Sequence, residues 1–209
     1  VVGNGKMIQK STQNGKDTYA FLVRNKINSY NVTVNIADYE TVVDTVHLAD
    51  SGVQTMTYEV LRGNGAKAKS HFVQARNMHR CFEQVFGTYA FWNDGYKVVE
   101  TPYWGMEHQS AIAYGNGFKN NRWGFDFILV HESGHEWWGN SVSVADHADM
   151  WIHEGFTTYS ETLLMECNEG LSRAEAYLRS QRSLIANRNP MAGPVGVNYQ
   201  QKDNDVYYK

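Results

Sequence analysis

Cysteine and proline are scarce in this 209-residue chain, with two of the first and three of the second. Cys81 and Cys167 stand alone, without a CxxC spacing. They are expected to be buried or half-buried thiols rather than a disulfide, and they do not fix a redox compartment. No stretch approaches 18 consecutive apolar residues, which excludes a transmembrane helix. No basic cluster stands out and the formal net charge is −3, which argues against nucleic acid or an anionic membrane as a partner. The chain opens on VVGNGKMIQK, without Met, a charged n-region or an apolar h-region. Either a leader has been removed or the chain begins inside a longer one, and the compartment stays open. No repeat or low-complexity tract is evident. With 42% hydrophobic and 20% charged residues, the composition is that of a soluble globular chain with a sizeable core.

What is present is concentrated in the stretch HESGH, residues 131–135. On a helix, positions four apart lie about 40° apart around the axis, so His131 and His135 can reach one metal ion. Glu132 lies roughly 100° from His131, close enough to act on a water held by that metal. The preceding WGFDFILV is apolar and free of Pro, as a buried helix leading into the motif should be. Gly139-Asn140 then supplies a C-terminal signal.

The third ligand separates the branches of HExxH hydrolases. A metzincin needs Gly and then His at the positions held here by Trp138 and Ser141, so that branch is excluded. Glu154 follows His135 after 18 intervening residues, in a second helical segment without Pro. Trp151, Ile152, Phe156, Tyr159, Leu163 and Leu164 give that segment an apolar face. Two antiparallel helices joined by a short loop would bring Glu154 opposite the histidine pair. Two neutral nitrogens and one carboxylate leave a fourth position open on Zn²⁺, the arrangement of a catalytic rather than a structural zinc. Glu161, seven residues after Glu154, shares its helical face and is a candidate to hydrogen-bond a ligand histidine. Asp146 and Asp149 compete with it for that role.

HESGHEWWGN followed by WIHEGFTTYSE resembles the zinc signature of the aminopeptidase N family, the gluzincin aminopeptidases that include leukotriene A hydrolase. YWGMEHQ, residues 103–109, resembles the family's Gly-x-Met-Glu-Asn segment, and VYYK, residues 206–209, its Tyr-x-Lys-Gly segment. The likeness spans roughly residues 28–209. It implies a thermolysin-like catalytic domain and one zinc ion on His131, His135 and Glu154. It also implies general-base action by Glu132 on the zinc-held water, and peptide substrates with a free N-terminus. Glu107 would anchor the substrate amine, with Gly105, Met106 and His108 around it. Tyr207 would donate a hydrogen bond to the developing oxyanion. The chain departs from the family at Trp104, where a Gly is usual, and at His108, where an Asn is usual. A zinc endopeptidase on the same scaffold and a non-catalytic zinc-stabilised domain are the alternatives.

Asn14-Gly15 between apolar runs predicts a β-hairpin over residues 1–27. The resemblance makes this the last hairpin of an otherwise missing N-terminal β domain. Residues 28–209 would then be the catalytic domain, cut short at its C-terminal end and separated from its flanking domains. Strands are expected over residues 31–38, 41–48 and 56–61, and a long amphipathic helix over 66–91. Short strands and loops follow over 92–118, then helices over 123–138, 149–167 and 173–187, the last capped by Ser172. The tail is expected to loop over the active-site face. The overall expectation is α+β, a mostly antiparallel sheet followed by a helical half.

Overall fold

The computed structural model describes residues 1–185; the expected tail loop and Tyr207 lie outside the described residues. Strand β1 (Val2–Gly3) pairs antiparallel with β4 (Val34–Asn35). Strands β2 (Lys6–Gln13) and β3 (Lys16–Leu22) form the expected hairpin. Its turn needs positive φ at both central positions, which Asn14 (53°) and Gly15 (72°) supply. The strand expected over residues 31–38 is realised only at β4, because a 3-10 turn over Ser29–Asn31 precedes it.

The main sheet contains β5 (Tyr39–Leu48), β6 (Gly52–Leu61), β7 (Tyr96–Glu100), β8 (Gly105–Met106) and β9 (Ile112–Tyr114), in the order β5-β6-β7-β9-β8. Pairs β5–β6 and β8–β9 are antiparallel, whereas β6–β7 and β7–β9 are parallel. With the two small sheets included, antiparallel pairing predominates and the α+β expectation holds. Met56, Tyr58 and Val60 alternate along β6 and are fully buried, so one face of the sheet carries the core.

That face is covered by α1 (Gly65–His71), α2 (Gln74–Phe86) and α3 (Phe127–Gly134), while α4 (Trp151–Glu169) packs on α2 and α3, and α5 (Leu171–Gln181) on α4. The single long helix expected over 66–91 is two helices. The chain tightens at Phe72-Val73, where Ala75 and Arg76 donate to carbonyls three residues back. This turn drives Phe72 into the core against Tyr58 and Tyr114. Helix α5 is capped by Gly170 (φ 85°), two residues before the expected Ser172 cap.

Cys81 on α2 and Cys167 on α4 form a disulfide, contrary to the expected free thiols. Packing of these two helices brings their Cα atoms to 6.0 Å, within bridging range, although 86 residues separate them in sequence.

The start of α3 is fixed by Asp126 rather than by the apolar run before it. The Asp126 carboxylate accepts from the Leu129 amide at 3.2 Å as the N-cap. It is fully buried and also bonded to His71 Nε2 (2.7 Å), Tyr114 Oη (2.5 Å) and Asn116 Nδ2 (2.9 Å). The helix therefore begins at Phe127, four residues later than the apolar pattern suggests. It ends at Gly134, and the following turns close through amides of Asn140, Ser141 and Val142 bonded five residues back. Gly134 permits the close crossing of α3 and α4, since a Cβ there would meet Ser160 Oγ at 2.8 Å.

Candidate metal centre

The crossing of α3 and α4 aligns the motif with its distant acid. His131 Nε2 lies 3.4 Å and His135 Nε2 3.7 Å from Glu154 Oε2. These three donor atoms lie within 4.8 Å of one another. The opposite ring nitrogens are already engaged. His131 Nδ1 is 2.8 Å from Glu161 Oε1, and Tyr177 Oη donates to the other oxygen of that carboxylate. His135 Nδ1 is 3.0 Å from the Trp138 carbonyl and 3.1 Å from Thr157 Oγ1. A carboxylate and a carbonyl only accept, so each Nδ1 carries a proton and each Nε2 is the nitrogen that faces the gap. Two imidazole lone pairs and one carboxylate form a donor set that suits Zn²⁺.

Of the acids weighed for orienting a ligand histidine, Glu161 is the one against His131, while Asp146 accepts the Ala148 amide. Replacing Glu161 by Gln should weaken zinc affinity on the order of 10- to 100-fold. Competition with a chromogenic chelator measures it; unchanged affinity would reduce Glu161 to a packing role.

Glu132 is buried beside this set, only 8% exposed. Burial pushes its carboxyl up to about 7, and the nearby Glu107 and Glu154 carboxylates push in the same direction. Glu132, Glu107 and His135 form a second convergent cluster within 4.8 Å. Gly105 on β8 packs against it so closely that a Cβ would stand 2.5 Å from Glu132 Oε1.

Glu107 follows β8 and is 6% exposed. Its carbonyl accepts from Asn140 Nδ2 at 2.9 Å, so the Asn that closes the motif also holds the Glu107 backbone. Tyr30 Oη lies 3.4 Å from Glu107 Oε1. Among the described residues no Lys or Arg side chain forms an ion pair with Glu107. Met106 continues β8, and His108 Nε2 lies 3.5 Å from Tyr103 Oη, with burial lowering its pKa.

Four residues near the centre were not expected from sequence. Thr157 was findable, because it lies three residues after Glu154 on the same helical face. So was Phe127, four residues before His131, whose ring stacks on the His131 imidazole at 5.1 Å. Tyr30 and Tyr177 lie on distant elements and left no local signal.

Comparison with known proteins gives the same pattern a family. The model of the peptidase family M1 domain matches residues 104–206. The leucyl aminopeptidase of Saccharolobus solfataricus is 22% identical over 170 residues, covering 76% of this chain and 21% of that protein. Human aminopeptidase B is 32% identical over 72 residues, 31% of this chain and 11% of that protein. The chain thus spans about a fifth or less of these relatives' lengths. An M1 zinc metallopeptidase from Deinococcus radiodurans, solved with a Tyr-Ser-Ala substrate, superposes with TM-score 0.79 at 20% identity, covering 99% of this chain and 46% of that one. Yeast LTA4 hydrolase in complex with bestatin gives TM-score 0.68 at 19% identity over 88% of this chain and 28% of that one. Residues 104–206, from the edge strand through both helices of the site, thus match the peptidase family M1 domain, and the chain has the fold of M1 metallopeptidases.

Proposed function

We propose that this chain carries the catalytic centre of a zinc metallo-aminopeptidase that hydrolyses the N-terminal bond of peptides. His131, His135 and Glu154 would hold one zinc ion. Zinc, when bound, supplies Lewis-acid polarisation of water and of the scissile carbonyl. Glu132 takes the proton from the attacking water and delivers it to the leaving nitrogen, a transfer that suits a carboxyl poised near neutrality. Tyr207, outside the described residues, is assigned by the resemblance to donate to the oxyanion, a contact typically contributing ~3 kcal/mol. The same resemblance lets the backbone of Gly105 and Met106, on the edge strand, face the substrate, with His108 beside the anchor.

One observation favours amino-terminal over internal cleavage. Glu107 is a buried carboxylate beside Glu132 and His135, with no Lys or Arg partner among the described residues. A buried anion of this kind is costly alone and favourable once a cation arrives. The α-ammonium of a free N-terminus, carried by the residue being released, supplies that cation.

The test compares one peptide with its N-acetylated twin on the zinc-loaded, full-length protein. Acetylation is expected to lower kcat/KM by on the order of 10²-fold or more, because it leaves Glu107 unpaired. Equal rates would favour an endopeptidase. Zinc binding with no cleavage of either peptide would favour a non-catalytic domain.

A further inference from the structure

A cavity of about 510 Å³ opens beside the metal centre, on the side of His131. Its inner wall is Phe127, stacked on His131 with centroids 5.1 Å apart. Trp104 continues that wall, 5.7 Å from Phe127 and tilted 32° to it. Trp123 and Tyr177 close the far side, in edge contact at 5.4 Å. Among the described residues, the charged groups on the lining are Lys119 and Arg122, both cations, with no carboxylate. Trp104 is 62% exposed, an unusual place for a large ring unless something packs on it.

The position of the cavity gives it a direction. Glu107 lies with Glu132 and His135, whereas Phe127 and Trp104 extend from His131. Glu107 thus neighbours His135, and the aromatic wall neighbours His131. Strand β8 runs between them at the edge of the sheet, paired with β9 on one side among the described strands. An extended peptide laid antiparallel along β8, with its amine at Glu107, passes Gly105 and then reaches Trp104. The residue beside Trp104 is the one that follows the scissile bond.

We propose that Trp104 and Phe127 form a specificity pocket for an aromatic side chain on the residue that follows the cleaved bond. The proposal rests on the aminopeptidase reading, which sets the direction of the peptide. Flat aromatic walls favour a stacked ring, and Lys119 and Arg122 disfavour a basic side chain in the same place.

The experiment uses the full-length, zinc-loaded protein and three tripeptides, Ala-Phe-Gly, Ala-Ala-Gly and Ala-Lys-Gly. The Phe peptide is expected to exceed the Ala peptide in kcat/KM by about tenfold, with the Lys peptide below both. Trp104→Ala and Phe127→Leu should each bring the Phe-to-Ala ratio toward one. Being a ratio within one protein, it is insensitive to general loss of activity. Calorimetric binding of the Phe and Ala peptides to zinc-loaded Glu132→Gln protein gives a second readout that needs no turnover. A flat profile with cleavage intact overturns the pocket and leaves the aminopeptidase reading standing. A preference that survives both substitutions also overturns it. If none of the three peptides is cleaved, the aminopeptidase reading fails and the affinities decide the pocket: about tenfold tighter binding of the Phe peptide supports it, and equal binding overturns it.

Discussion

Replacing Glu132 by Gln should leave zinc bound and lower kcat about 10³-fold, within the span expected for loss of a positioned general base. Glutamine keeps the size of the side chain and its place beside His131 and His135, so the donor set of His131, His135 and Glu154 is untouched. What disappears is the capacity to hold a proton. Glu132 is almost fully buried and its carboxyl is raised to about 7, so it can both take up and give back a proton near neutral pH. Zinc content per chain and kcat, measured on the same preparation, check the two halves separately. Turnover within tenfold of the parent would remove Glu132 from its proposed role.

Gly105→Val should fold normally, retain zinc and lose on the order of 10²-fold in kcat/KM, because small displacements of a reacting group are amplified in rate. The backbone of Gly105 lies outside the left-handed region, so a side chain is tolerated conformationally. The difficulty is spatial, since any Cβ there stands 2.5 Å from Glu132 Oε1. Glu132 Cδ and Cγ would stand 2.9 Å away as well, so the contact is relieved only by moving the whole Glu132 side chain. Stability should be preserved while the base leaves its place. Thermal unfolding with and without zinc, alongside kcat/KM, distinguishes this from simple misfolding. Full activity in the variant would mean that Glu132 has room to work elsewhere.

Much of the centre was legible because it is built from short-range helical geometry. The pair His131 and His135, the partner Glu154 and the orienting Glu161 follow from periods of four and seven on two helices. Phe127 obeys the same rule, four residues before His131, although in sequence it reads as ordinary core. The failures share a cause. The disulfide joins residues 86 apart, and only the packing of α2 on α4 brings them together. Tyr30 reaches Glu107 across 77 residues, and Tyr177 reaches Glu161 from the next helix. The bend at Phe72 is likewise a tertiary choice, since burying that ring against Tyr58 and Tyr114 overrides an uninterrupted helical pattern.

The sequence by itself determined the donor types, their order and the acidic residue beside them, because helix periodicity converts spacing into direction. It also determined the hairpin at Asn14-Gly15, where two positive φ values demand those residues. Tertiary structure decided what surrounds the donors: which ring nitrogen of each histidine faces inward, which carboxylate is left without a cation, and which side of the centre is walled by aromatic rings. The Phe127–His131 stacking and the His135–Trp138 bond are local, but the other contacts join elements far apart in the chain, and no local pattern encodes those.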